Sequence, residues 1–308
     1  MNPKRRSIGK RIGLSKCLFR GALIWLRRLA GDFFLACIGV SEYLYLKLRP
    51  SLWNEIVAPD FFIAGAQKSG TTSLVDWLNQ LSEFRVGVMK VSYKKKLRRE
   101  IQFFNNPAVR IRGLSWYTSR FMHGYINGEK SPEYIYRRAS LREIRRFFPR
   151  SKLVVILRNP VDRAFSAYSH YMRGYPRSRY WDWLLPGESF SDNLRAEFRT
   201  GISFGFLARG RYSEQLEYLY RLFPRGNVKI IVFERLTADP SGSLQEIAGF
   251  LGGGEIKSDI DLTAVNVGRY TSRMDDPTRL WLNEYFRPFN ERLFDLLGYR
   301  ISEWEERL

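Results

Sequence analysis

Residues 65–72 read Gly-Ala-Gln-Lys-Ser-Gly-Thr-Thr, directly after the apolar run at 61–64. Gly65 and Gly70 let the backbone bend and come close to a ligand. Lys68 brings a positive head, Thr71 and Thr72 bring hydroxyls, and Gln67 and Ser69 complete the polar lining. A Gly-rich turn between a strand and a helix points backbone N–H groups and the positive end of the helix dipole at an anion, so this stretch is suited to cradle phosphate. Its spacing is not that of the nucleotide triphosphatase loop, where Lys follows the second Gly; here Lys68 precedes Gly70. A second candidate is Arg158, at the end of another apolar run, with Ser166 two turns further along. An Arg and a hydroxyl that converge on one phosphate make charge-assisted bonds of fixed geometry. Between them, Asn159 can cap a helix, Pro160 fits its first position, and Asp162 stands where a capping box puts its acid.

These residues need rigid elements behind them. The runs at 61–65, 152–157 and 228–233 are continuous rather than alternating in polarity, as strands of a parallel sheet covered on both faces are. Helical spacing appears at 72–81, 141–148, 212–223 and 280–297. Strands that alternate with helices predict an α/β domain: a P-loop-like, three-layer arrangement with a central, mainly parallel sheet flanked by helices. Gly252, Gly253 and Gly254 mark a turn rather than a domain boundary.

The chain has 308 residues, with 51 Lys and Arg against 31 Asp and Glu, a net charge of +20. That field attracts polyanions: nucleic acid, an anionic membrane or an acidic polysaccharide. Cys17 and Cys37 both precede the expected core, which argues against a disulfide framework or a Cys-based metal site. Two His, His123 and His170, are too few for a His-rich metal centre. Residues 1–28 carry nine Lys or Arg and no acid. Residues 17–31 read as a basic amphipathic helix suited to an anionic interface. Residues 29–48 are long enough to be a marginal membrane span, yet contain Asp32 and Glu42, each costing roughly 2.5–3.5 kcal/mol at a bilayer centre. Three readings of this segment stay open: an interfacial helix, a span with a cytoplasmic N-terminus, or a helix packed on the domain. A signal peptide fits poorly, because Arg27, Arg28 and Asp32 interrupt the apolar stretch. Pro50 and Pro59 then divide a basic, partly apolar segment (1–50) from the main domain (51–308).

The loop at 65–72, the stretch LVVILRNPVDRAFSAYSHYMR (153–173) and the late NVGRYTSRMDD (266–276), in that order, resemble the sulfotransferases that use 3′-phosphoadenosine 5′-phosphosulfate, PAPS. EIQFFNN (100–106), GLSWYTSRF (113–121), EKSPEYIY (129–136) and GRYSEQLEYLYRLFP (210–224) narrow the resemblance to the heparan sulfate branch, N-sulfating and 3-O-sulfating. The similarities run from about residue 61 to 298.

The resemblance implies that the loop at Gly65, Gln67, Lys68, Ser69, Gly70, Thr71 and Thr72 holds the 5′-phosphosulfate, and that Arg158 and Ser166 hold the 3′-phosphate. Gly268 and Arg269 match the last nucleotide loop, although Val267 stands where the family commonly has Lys. It also implies that Glu100 is the catalytic base, that Lys68 and Lys130 stabilise charge, and that His170, one turn past Ser166, touches the sulfuryl group or serves as a second base. Phe103 and Phe104 are expected in the core; Trp116 and Tyr117 are equally open to core packing or to stacking on sugar. PAP is the implied product, no metal is required, and the implied acceptor is a carbohydrate or other anionic molecule rather than nucleic acid. An anionic membrane surface is a second candidate partner. The implied setting is the cytoplasmic side of a membrane in a bacterium, or the Golgi lumen behind a type II anchor in a eukaryote. Two other functions compete: a P-loop kinase for a small molecule, which would need Mg²⁺ ligands the loop does not spell, and a non-enzymatic basic protein that binds polyanions, which would leave the ordered phosphate motifs unexplained.

Overall fold

Five short segments are buried along most of their length, so their backbone N–H and C=O groups must be paired within the protein, and a sheet supplies the partners. The computed structural model describes residues 26, 29–48, 56–87, 89–91, 96–98, 100–174, 189–201, 205–256, 259–265 and 273–305. After a helix at Leu29–Lys47 (α1) come β1 (Phe61–Gly65), α2 (Thr71–Leu78) and β2 (Phe84–Gly87). A two-stranded antiparallel hairpin, β3 (Met89–Val91) with β4 (Lys96–Arg98), leads to Glu100. Then follow α3 (Pro107–Arg110), α4 (Leu114–Thr118), β5 (Ile126–Lys130), α5 (Arg138–Phe147), β6 (Lys152–Leu157) and α6 (Pro160–Gly174). The last elements are α7 (Phe190–Thr200), α8 (Tyr212–Leu222), β7 (Val228–Val232), α9 (Phe233–Ala238), α10 (Pro240–Leu251), α11 (Asp276–Leu297) and α12 (Ser302–Glu305).

The main sheet has the order β2-β5-β1-β6-β7, and every pairing in it is parallel. All five strands therefore end on one edge. Successive side chains leave opposite faces of a strand, and each face has its own core. Phe62, Ala64, Leu153, Val155 and Leu157 pack with Leu141, Ile144 and Phe147 of α5 and Leu216 and Leu219 of α8. Phe61, Ile63, Val154 and Ile156 pack with Leu74, Val75 and Leu78 of α2 and Leu244 and Ile247 of α10. This is the expected three-layer α/β domain. A third cluster joins α6, α7 and α11 through Ala164, Ala167, Leu194, Phe206, Leu282 and Phe286.

The apolar runs at 61–65 and 152–157 are strands with the expected bounds. The third strand stops at Val232, because Phe233 opens α9. Strands β2 and β5 are additions that apolarity does not reveal: β5 reads Ile-Asn-Gly-Glu-Lys, yet residues 127–130 are buried. α2 begins at Thr71 and ends at Leu78, before the expected 81, with Asn79 as its C-cap. α5 starts at Arg138 rather than 141. α11 starts at Asp276 rather than 280, where Asp275 caps it by accepting from Thr278 N at 2.8 Å. Asn159 caps α6 as expected, accepting from Val161 N and Asp162 N at 3.0 and 3.3 Å. The capping-box role of Asp162 does not hold. Glu234 Oε1 accepts from Asn159 N at 3.0 Å, and Asp162 pairs with Arg279 at 3.1 Å.

Candidate active site

The loop after β1 lies on the sheet edge where parallel α/β sheets bind ligands. Lys68 and Gly70 both have positive φ, 72° and 76°. This curls the loop so that α2 starts with no side-chain cap and no acid in its first turn, and its leading N–H groups remain open to an anion. Ser69 is fully buried, and its Oγ has no hydrogen-bond partner. A buried unpaired hydroxyl costs about 1–3 kcal/mol, so Ser69 Oγ is available to a ligand oxygen placed in the loop.

The second wall comes from β5. Ile63 of β1 registers with Lys130, the last residue of β5. Lys130 is almost fully buried, and its Nζ donates to Thr72 Oγ1 at 3.1 Å and lies 2.9 Å from Glu100 Oε1. Gln102 Nε2 donates to the other Glu100 oxygen at 2.8 Å. Three residues far apart in sequence, Thr72, Glu100 and Lys130, thus form one contiguous set. Glu100 pairs with Lys130 rather than standing as a solvated acid.

The third wall is the start of α6. Arg158 Nη1 donates to the Lys68 carbonyl at 3.0 Å, and its guanidinium sits 4.7 Å over the ring of Phe233. Ser166 is buried on the same helix, and His170 is half-buried one turn beyond it. Gly268, Arg269 and Val267 lie outside the described residues.

Behind Lys130 is a polar cluster that sequence reading missed. Glu129 is fully buried and accepts from Tyr117 OH at 2.5 Å, Tyr134 OH at 2.6 Å and Ser131 Oγ at 3.3 Å. Burial pushes its carboxyl up to about 7, against the pull of those hydrogen bonds. Burial, and then the Glu129 charge, push both tyrosine hydroxyls well above their usual range. Phe104 N donates to Tyr134 OH at 3.2 Å, so the cluster also fixes the segment that carries Glu100. Tyr117 stacks on Phe103 at 4.3 Å in the core, which removes it from the sugar-stacking candidates; Phe103 and Phe104 are core, as expected. Trp116 is half-buried between the guanidiniums of Arg112 and Arg120, 4.7 and 4.5 Å from its ring.

Arg209 was also missed, although it lies beside the Gly210 motif. It bridges Gln67 of the loop (3.4 Å) and Glu133 (2.9 Å). It also lines a cleft of about 420 Å³ with Arg137, Arg138, Arg142, Tyr136 and Tyr218. Asp32 and Glu214 share the lining, and Arg137 and Arg209 are paired with Asp32 and Glu133; the guanidiniums and phenol rings together offer hydrogen bonds and ring faces to a polar, sugar-like ligand.

A family model described as "Sulfotransferase domain" matches residues 58–267. Human heparan sulfate glucosamine 3-O-sulfotransferase 6 is 28% identical, over 78% of this chain and 72% of that protein. Human bifunctional heparan sulfate N-deacetylase/N-sulfotransferase 2 is 25% identical, over 80% of this chain but only 30% of its own length. Among solved structures, a sulfotransferase from Alicyclobacillus acidocaldarius superposes with a TM-score of 0.62 at 26% identity, covering 81% of this chain and 100% of that one. A mouse sulfotransferase, SULT7A1, complexed with PAP, shares the fold, with a TM-score of 0.51 at 14% identity over 82% of this chain and 90% of that one.

Proposed function

The chain belongs to the sulfotransferase domain family, and on that premise we propose that it moves a sulfuryl group from PAPS to a hydroxyl or amine of a carbohydrate acceptor, releasing PAP. The observation that carries this reading is Lys130, whose ammonium joins Thr72 of the phosphate-cradling loop to the Glu100 carboxylate. The loop fits an anionic donor by its own chemistry, an uncapped helix start and an unpartnered Ser69 hydroxyl, with the buried Lys130 of β5 beside it.

When bound, PAPS supplies an activated sulfuryl group on a phosphate leaving group. The chain supplies the rest. Gly65, Gln67, Lys68, Ser69, Gly70, Thr71 and Thr72 bind the 5′ end, with Lys68 offsetting negative charge there. Arg158 and Ser166 bind the 3′-phosphate, supplemented by Gly268 and Arg269. Glu100 accepts the proton that an acceptor hydroxyl or ammonium releases. Lys130 holds the Glu100 carboxylate against the loop, so base and donor site share one frame. His170 is the second candidate for a sulfuryl contact or a base. The positive groups balance the charge, and this reading calls on no metal. Residues 51–308 form the catalytic domain.

The acceptor class follows from the arginine-lined cleft beside Arg209 and from relatives named for heparan sulfate. Transfer of ³⁵S from labelled PAPS to a panel of desulfated polysaccharides, small alcohols and amines tests it. The expected result is label in a polysaccharide, with no dependence on ATP. ATP- and Mg²⁺-dependent phosphorylation of a small molecule instead would establish the kinase reading.

A further inference from the structure

Helix α1 carries its polarity inside out. A surface helix of a soluble domain turns apolar residues inward and charged ones outward. In α1 the inward positions are Asp32, Leu35, Gly39, Glu42 and Leu46, spaced three and four apart. Both acids of the helix are therefore on the protein side. Asp32 pairs with Arg137 at 3.0 Å. Glu42 Oε2 pairs with the fully buried Arg110 at 2.5 Å, and Glu42 Oε1 accepts from Leu114 N. Gly39 lets the two elements touch, because a Cβ there would overlap the Glu143 carboxylate of α5. The outward face includes Leu29, Phe33, Cys37, Val40 and Leu44, with Leu48 just past the helix end. Phe33 is 73% exposed and Leu48 83%.

Length and apolarity alone would let α1 cross a bilayer, with a mean hydropathy of 1.4 and a length of about 28 Å at 1.5 Å per residue. The two ion pairs argue against that placement. They clip the helix to α3 and to Arg137, just before α5, so a crossing helix would drag Arg110 and Arg137 into hydrocarbon. We propose that α1 is instead an in-plane anchor, whose outward apolar face rests in the interface of an anionic bilayer while its acidic face stays clipped to the domain. The charge around it names that occupant: the 28 residues that start the chain hold nine Lys or Arg and no acid, and the whole chain is +20. Apolar burial combined with cationic attraction is how interfacial helices bind anionic lipid. Leu29 and Asp32 also line the arginine cleft, so a chain seated this way holds the mouth of that cleft at headgroup level.

Cys37 stands midway along the outward face and is exposed, which makes it a depth gauge. The full chain with Cys17→Ser is labelled at Cys37 with an environment-sensitive fluorophore and mixed with vesicles of phosphatidylglycerol and phosphatidylethanolamine, or of phosphatidylcholine alone. The expected results are rapid labelling without lipid, a blue shift with the anionic vesicles only, and stronger quenching by a nitroxide near the headgroup than by one near the acyl end. Phe33→Glu with Leu44→Glu should reduce vesicle binding at least about 10-fold in a co-flotation assay that needs no label. Deeper quenching by the acyl-end nitroxide would show a span and overturn the proposal. So would slow labelling without lipid, which means that the face is covered by the chain's own first 25 residues or by a second copy. Vesicle binding unchanged in the double variant would overturn it as well. None of these readouts depends on sulfuryl transfer.

Discussion

Strands β1 and β5 are neighbours in one sheet, and they build the two sides of the site in opposite ways. The turn after β1 uses small residues, positive φ values and open backbone N–H groups. It shapes its site with local geometry. The end of β5 uses long, buried, charged side chains held by partners from elsewhere: Lys130 by Thr72 and Glu100, and Glu129 by Tyr117 and Tyr134. It shapes its site with tertiary contacts. The β1 side should then tolerate change in its surroundings but not in its loop, whereas the β5 side should fail whenever a distant partner is lost.

The largest effect belongs where the two sides meet. Glu100→Gln keeps the volume and removes the proposed base, and is expected to slow transfer by about 10²–10⁴-fold, while PAP affinity measured by calorimetry stays within about threefold. Loss of both together would merge the two sides into one. Lys68→Ala acts on the donor side alone; its transfer rate is expected to fall at least about 100-fold, the scale of losing one preorganised group. An unchanged rate would remove Lys68 from the assigned role.

The next effect concerns stability rather than rate, and sharpens the contrast from the β5 side. Glu129 has its carboxyl raised from 4.5 to about 7 by burial. The folded state therefore holds this proton more tightly than the unfolded chain. Its contribution is in full below pH 4.5, and is lost as pH rises through about 7. The difference amounts to about 3 kcal/mol. Thermal unfolding from pH 4.5 to 8 should show this loss in the wild type and not in Glu129→Gln. A wild-type profile that lacks it would mean that burial does not raise the Glu129 carboxyl above its unfolded value. The smallest effect returns to the loop. Ser69→Ala removes a buried hydroxyl that has no partner, so stability is expected to stay level or to rise by about 1 kcal/mol, while the affinity for PAP falls. A clear loss of stability would give Ser69 a structural role instead.

The same contrast explains what the sequence made legible. The turn at 65–72 was readable because its chemistry is contiguous: strand, Gly, Lys, Gly, hydroxyls, helix. The Asn159-Pro160 start of α6 was readable for the same reason. β5 was not, because Asn127, Glu129 and Lys130 are polar residues in a buried strand, and apolar periodicity cannot register them. Nor could Asp162 reveal that it would face Arg279 while Glu234, from α9, takes over its capping contact. The acids Asp32 and Glu42 looked like costs to a membrane span. In the fold they are the clips that hold α1 to the domain.

A crystal structure of the chain with PAP tests the central claim most directly. The expected result is a single PAP molecule with its 5′-phosphate against the Lys68 loop and its 3′-phosphate against Arg158 and Ser166, leaving the Lys130–Glu100 pair beside the 5′ end. A PAP molecule that touches only one of those two neighbourhoods, or that sits away from Lys130 and Glu100, would contradict it.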